Sequence, residues 1–304
     1  MQPPDTSTPS DASRDTTLRP TRRLKALLAT RSALLIPGTA NALFARVIDD
    51  LGFDALYVTG AGIANMHVGV PDIGLVSLKE VADVTATIAD VTARPIIVDA
   101  DTGFGNALNM VRTVQMLERA GASALQIEDQ VFPKKCGHFS GKAVVATQDM
   151  VAKIKAAVDT RRDGDLQIIA RTDARAIHGL DEALARAHAY IEAGADVTFV
   201  EAPTSLEEMA QITAALPVPQ IANMVHGGLT PDPGRDALAA MGFAGVLYAN
   251  AALQAALQSV GHVLASLKRE GSLAAVSDHL ADFEMRQRAV GKPAFDALDE
   301  RYKV

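Results

Sequence analysis

From about residue 22, short branched-aliphatic runs alternate with longer stretches whose apolar residues recur at helical spacing. A brief apolar run bounded by Gly, Pro or a charged residue predicts a buried strand. Eight such runs occur: Ala33–Ile36, Ala55–Val58, Pro95–Asp99, Ala124–Glu128, Leu166–Arg171, Val197–Glu201, Val218–Asn223 and Gly245–Tyr248. The first is expected to stop at Pro37-Gly38. Between the runs, helical segments close on a glycine just before the next strand, at Gly52, Gly121, Gly194 and Gly242. Glycine at that position adopts the left-handed conformation cheaply. Strands alternating with helices imply parallel pairing through crossovers. Eight βα units predict an α/β fold of the (β/α)8 TIM-barrel class, with a doubly wound open sheet as the alternative. Beyond the eighth strand, Ala251–Glu270 carries Leu253, Leu257, Val260, Leu264 and Leu267 at helical spacing, and Leu273–Val290 and Ala294–Arg301 read as further helices. That surplus helix either caps the barrel or packs on a partner subunit. Residues 1–20 are rich in Pro, Ser, Thr and Asp and read as a disordered tail, not a signal peptide. The expected division is tail 1–20, barrel 21–250 and C-terminal oligomerisation helices 251–304.

Composition narrows the function classes. The chain has 304 residues, is 48% hydrophobic and only 4% aromatic, and lacks Trp, so aliphatic side chains must fill its core. A net charge of −7 argues against a nucleic-acid footprint. No apolar run reaches the ~18 residues of a membrane span. One cysteine cannot form an internal disulfide, which fits a reducing, cytoplasmic setting.

That cysteine, Cys136, lies in Lys134-Lys135-Cys136-Gly137-His138. Neighbouring cations favour a thiolate; a buried Cys serving as a small hydrophobe is the plainer alternative. Other polar residues fall at strand ends, where barrels of this class build active sites on their βα loops. Asp99 and Asp101 are two apart and face the same way at a strand tip. Paired carboxylates there suit Mg²⁺, which keeps several waters; alternatively Asp101 caps the helix that begins near Asn106. Glu128, one strand on, could hold a metal-bound water or form a salt bridge. Thr59-Gly60-Ala61-Gly62 offers backbone amides to a carboxylate or enolate. Arg171 is either a bidentate carboxylate ligand or a partner of Glu201 or Asp173. Asn223 could donate to a substrate carboxylate.

Taken together, several motifs resemble the isocitrate lyase / phosphoenolpyruvate mutase superfamily. They are Val98–Gly105 with its Asp99-Ala100-Asp101, Ile127–Gln130, Lys134–His138, Ala170–Ala174, and Asn223-Met224 followed by Gly227-Gly228. The resemblance covers about residues 22–290. It implies a (β/α)8 barrel with Mg²⁺, or Mn²⁺ in its place, and an α-keto acid or enolate at the barrel mouth. It also implies a homotetramer that exchanges a C-terminal helix between subunits. The Lys-Lys-Cys-Gly-His loop and the chain length resemble the 2-methylisocitrate and 2,3-dimethylmalate lyases. By that resemblance Asp99, Asp101 and Glu128 form the metal shell, and Thr59, Gly60 and Ala61 bind the keto-acid end. Asp72 lies near the metal, while Arg171 and Asn223 contact substrate oxygens; Glu201, on the same rim, is counted with them. Three departures stand out: Ala61 where a second Gly is usual, His226 where a Glu is usual, and Phe139-Ser140-Gly141 before Lys142.

The expected reaction is cleavage of a 2-hydroxy di- or tricarboxylate into an α-keto acid, such as pyruvate, and a second carboxylate. Cys136 would protonate the departing carbanion, Lys134 and His138 would tune it, and Tyr57 is the candidate base. The alternatives are an oxaloacetate hydrolase or decarboxylase, a phosphonate mutase, and a non-catalytic dicarboxylate-binding barrel.

Overall fold

The computed structural model describes residues 18–135 and 141–303. Cys136 and His138 lie outside the described residues, as does most of the expected tail.

Eight strands form one sheet: β1 (Leu34–Thr39), β2 (Leu56–Val58), β3 (Ile96–Asp99), β4 (Ala124–Glu128), β5 (Gln167–Thr172), β6 (Val197–Val200), β7 (Ile221–Asn223) and β8 (Gly245–Tyr248). They run in the order β6-β5-β4-β3-β2-β1-β8-β7. Every laddered pair is parallel. A single parallel bridge, Thr198 to Gln220, joins β6 to β7 and brings the ends of the sheet together. The expected (β/α)8 barrel is therefore the observed fold, and the open sheet is excluded.

The alternation along each strand decides what faces where, since successive side chains point to opposite faces. One parity enters the lumen: Leu34 and Ile36, Tyr57, Ile97, Ala124, Ile169, Val197 and Phe199, Ile221 and Leu247 form one buried cluster. Helix Pro20–Ala29 adds Leu24, Leu27 and Leu28 to it at the N-terminal ends of the strands. The other parity, including Ile96, Val98, Leu125, Ile127 and Ile168, packs outward against the helices. Apolar burial on both faces explains why the strands read as nearly continuous hydrophobic runs.

Two expectations change in detail. Strand β1 does not stop at Pro37-Gly38. It runs to Thr39, with Pro37 opposite Tyr248 and Gly38 opposite Tyr57. Gly38 allows close approach of two backbones there: a Cβ would lie 2.0 Å from the Ala249 carbonyl oxygen. The expected Leu273–Val290 helix is broken into a 3-10 segment (Ala274–His279) and a helix (Phe283–Ala289). Asp282 starts the second piece by accepting from the Met285 amide, which competes with a continuous helix. The four glycines expected to end helices, Gly52, Gly121, Gly194 and Gly242, all have positive φ.

Helix Ala251–Glu270 buries only Val263 and Ser266 and leaves Leu257, Val260 and Leu264 exposed. Among the described residues, no helix is long and apolar enough to cross a membrane.

Candidate active site

The lumen parity that is apolar within the barrel turns polar at the strand tips. Ile97 is followed by Asp99 and Asp101, Ala124 by Gln126 and Glu128, Ile169 by Arg171 and Asp173, Phe199 by Glu201, and Ile221 by Asn223. All of them except Asn223 are buried. Tyr57, Thr59, Ala61, Asp72, Asp99, Glu128, Lys134, Arg171, Glu201 and Asn223 line a single cavity of about 40 Å³. The structure thus brings together most of the residues singled out from the sequence.

Asp99 and Asp101 are tied by a local turn. The Asp101 amide donates to Asp99 Oδ1 at 3.1 Å, and Asp101 has φ 46, a backbone region that Asp tolerates better than most residues. Helix Ala107–Arg119 is capped by Asn106, which accepts from the Leu108 and Asn109 amides. Asp101 is therefore not the cap, and its carboxylate pairs with Lys134. The Gly60 amide donates to Asp99 Oδ2 at 3.2 Å, and a Cβ on Gly60 would lie 3.1 Å from that oxygen. Gly60 thus supports the carboxylate pair with an amide that was expected to bind substrate. Thr59 accepts from the Gly62 amide and donates to Asn250 Oδ1 at 3.4 Å.

Lys134 reaches into this acidic group. Its Nζ contacts Asp72 and lies 3.0 Å from Asp101 Oδ1, with the side chain 5% exposed. Burial opposes its charge, but the surrounding carboxylates, Asp101 foremost, outweigh that and hold it protonated. Burial also raises the Asp101 carboxyl to about 7, against the pull of Lys134 and with added repulsion from Asp99. Burial pushes Glu128 well above the usual carboxylate range, although Arg171 pulls it down.

On the opposite wall Arg171 holds Asp173 through Nε at 2.9 Å and Nη2 at 3.2 Å. Its Nε also lies 3.4 Å from Glu128 and 3.7 Å from Glu201, and its guanidinium stacks 5.2 Å from the Phe199 ring centre. The ion-pair reading of Arg171 is the observed one, with Asp173 closest, and Arg171 also lines the cavity. Asn223 Nδ2 donates weakly to Glu201 at 3.4 Å. Tyr57 donates to Gln126 Oε1 at 3.0 Å. Burial, then Asp99, push its phenol well above its ordinary value, so the hydroxyl keeps its proton and suits a donor better than the base expected from the sequence.

The donor set fits a hard cation. Glu128 Oε1, Asn223 Oδ1 and Asp101 Oδ1 are buried without a hydrogen-bond partner, Asp101 Oδ1 having only the ion pair with Lys134. Buried acceptors of this kind require a cation or a donor. The Lys134 ammonium stands where positive charge is needed. Among the described residues, no three His, Cys, Asp or Glu side chains close on one point. Mg²⁺, which takes one or two carboxylates and keeps several waters, does not require such a cluster.

Sequence reasoning missed Gln126, Asn250 and the contact of Lys142 with Asp173. Gln126 sits between Ala124 and Glu128 on the lumen parity and could have been found by extending it. Asn250 is the first polar side chain after β8. A second, more open cavity of about 320 Å³ is lined by His226, Thr230, Tyr248, Gln254 and others, and it shares Val225 and Asn250 with the first.

The family described as phosphoenolpyruvate phosphomutase matches residues 24–268. The chain is 42% identical over 280 residues to 2,3-dimethylmalate lyase of Eubacterium barkeri, covering 92% of this chain and 97% of that one. It is 42% identical over 292 residues to 2-methylisocitrate lyase of Aeropyrum pernix, covering 92% and 94%. Among solved structures, a 2,3-dimethylmalate lyase superposes with a TM-score of 0.88 at 35% identity, over 93% of this chain and 95% of that one. A phosphonopyruvate hydrolase in complex with oxalate and Mg²⁺ superposes with a TM-score of 0.84 at 29% identity, over 94% and 99%. The fold, the polar rim and these likenesses agree: the chain belongs to the phosphoenolpyruvate mutase / isocitrate lyase superfamily.

Proposed function

We propose that this chain is a Mg²⁺-dependent carbon–carbon lyase acting on a 2-hydroxy di- or tricarboxylate of the 2,3-dimethylmalate or 2-methylisocitrate type. The observation that carries this reading is the buried polar ring at the barrel mouth: Glu128 and Asn223 each bring an oxygen without a hydrogen-bond partner, Arg171 and Lys134 line the same small cavity, and Lys134 pairs with Asp101 beside it.

Asp99 and Asp101, supported by Glu128, would hold the ion together with water. Bound there, Mg²⁺ supplies positive charge against the oxygens of the α-keto acid half. The chain's own groups do the rest. Arg171 and Asn223 orient the substrate carboxylate, and the Tyr57 hydroxyl donates to a substrate oxygen. The substrate hydroxyl loses its proton to a carboxylate on the cavity wall. The adjacent C–C bond then breaks, and its electron pair moves onto the carbon beside the second carboxylate. The Cys136 thiol gives its proton to that carbon, leaving a thiolate that is reprotonated from solvent. Lys134 and His138, flanking Cys136, favour that thiolate electrostatically. Low dielectric around the buried groups strengthens each of these interactions.

The second cavity, with His226 at its rim, is where substituents on the far half of the substrate are best accommodated. We also place the enzyme in the cytoplasm as a homotetramer, with the exposed apolar face of Ala251–Glu270 supporting subunit association.

A substrate panel tests the reading. Purified protein is assayed with 2,3-dimethylmalate, 2-methylisocitrate, isocitrate, oxaloacetate and phosphonopyruvate, each with MgCl2 and with EDTA. Pyruvate release from one of the first two, abolished by EDTA, is expected. Faster turnover of oxaloacetate or phosphonopyruvate would replace the lyase reading with a hydrolase or mutase, and no turnover of any would leave a binding protein.

A further inference from the structure

Arg171 cannot present its full charge to an anionic substrate while three carboxylates compete for it. Asp173 lies at 2.9 Å, Glu128 at 3.4 Å and Glu201 at 3.7 Å from its Nε. Left as one cation among these acidic groups, it would offer little positive charge to a dicarboxylate.

Lys142 changes that balance. Its Nζ lies 2.6 Å from Asp173 Oδ1, the oxygen that also accepts from Arg171 Nη2. Both side chains are excluded from water, Lys142 at 4% and Asp173 at 0% exposure. At that depth solvent screening is weak, so the pair acts at nearly full electrostatic strength. The geometry is also fixed. The Asp173 amide donates to Asp129 Oδ1 at 2.9 Å, which pins the residue behind its carboxylate. Lys142 is followed by Ala143 and Val144, which are held by the bond from the Val131 amide to the Ala143 carbonyl at 2.8 Å and by the Gln130–Val144 bridge.

We propose that Lys142 is a positioning residue: it neutralises Asp173, fixes that carboxylate against one side of the Arg171 guanidinium, and so leaves Arg171 oriented and positive toward a ligand carboxylate. The structure supplies the contact chain Lys142–Asp173–Arg171; the proposal rests on the reading that Arg171 meets a carboxylate of the substrate. Lys142 touches no substrate in this scheme and acts through Asp173.

The test measures oxalate binding to the full-length protein by calorimetry in MgCl2, for wild type, Lys142→Met, Lys142→Gln and Lys142→Arg. Melting temperature and, for the best substrate of the panel, kcat and KM are recorded alongside. Lys142→Met and Lys142→Gln are expected to weaken oxalate binding about 10–100-fold and to raise KM more than they lower kcat. Lys142→Arg should restore binding to within a few-fold. A purely structural role would lower the melting temperature of the neutral variants while leaving the oxalate affinity of their folded fraction unchanged. That outcome, or a Lys142→Arg variant that folds but binds as weakly as Lys142→Met, overturns the proposal. Wild-type protein that binds no oxalate and turns over nothing in the panel overturns the lyase reading with it. Wild-type binding with unaffected Lys142 variants overturns the positioning role alone.

Discussion

Replacing Cys136 with alanine is expected to lower turnover about 10²–10⁴-fold, the range set by loss of a positioned proton donor. The expectation follows from its immediate neighbours. Lys134 and Lys135 line the cavity at the barrel mouth, and Gln130 grips Lys135 from both sides, accepting from its amide at 3.0 Å and donating to its carbonyl at 2.9 Å. The chain is thus delivered to the cavity mouth at the residue just before the cysteine. In the proposed mechanism these two lysines favour the thiolate left behind by proton transfer. Alanine removes the donor without adding bulk, so circular dichroism and melting temperature should match wild type. Lys134→Ala would not be an equivalent probe, because it also uncovers Asp72 and Asp101. A Cys136→Ala enzyme with wild-type kcat would remove the thiol from the mechanism.

Asp129→Ala should destabilise the fold by about 3–5 kcal/mol, the range for removing one partner from a buried charged network. Asp129 sits on the outward parity of β4, one residue past Glu128, and is fully buried. It accepts from the Thr172 hydroxyl at 2.7 Å, the Asp173 amide at 2.9 Å and the Tyr190 hydroxyl at 2.8 Å. Arg186 approaches at 3.4 Å while donating to the Val145 carbonyl at 2.9 Å. Truncation would leave the Thr172, Asp173 and Tyr190 donors short of a partner away from water, while Arg186 keeps its 2.8 Å pair with Glu182. Asp129→Asn retains acceptor capacity and should lose less. Urea unfolding with an unchanged slope and a lower midpoint would show the effect; a loss under 1 kcal/mol for Asp129→Ala would refute this account of the network.

Much of the site was legible because a strand repeats every two residues. Once Ile97, Ala124, Ile169 and Ile221 are taken as lumen-facing, Asp99, Glu128, Arg171 and Asn223 must converge at the barrel mouth. What escaped depends on partners far apart in sequence. Thr59 meets Asn250 across 191 positions, and Lys142 meets Asp173 across 31. No local periodicity encodes such pairs. Pro37-Gly38 reads as a turn in the sequence because such a pair ordinarily marks one; the neighbouring Ala249 carbonyl, which dictates the glycine, is far away along the chain. Asp99-Ala100-Asp101 was open to two readings until Asn106 proved to be the helix cap.

The joint between β6 and β7 has a mechanical consequence. β4 and β5 are laddered from Ala124 to Glu128, whereas β6 and β7 share one bridge, the Thr198 amide on the Pro219 carbonyl at 3.1 Å and the Thr198 hydroxyl on Gln220 Oε1 at 2.8 Å. Pro219 has no amide hydrogen to extend the ladder. The barrel can therefore part along this line at the smallest cost in hydrogen bonds. Glu201 and Asn223 stand on the two lips of the seam, with long 3.4 Å contacts between them. A slight spreading of the wall would separate these two groups, giving the cavity a place to widen around a substrate larger than the space it now encloses.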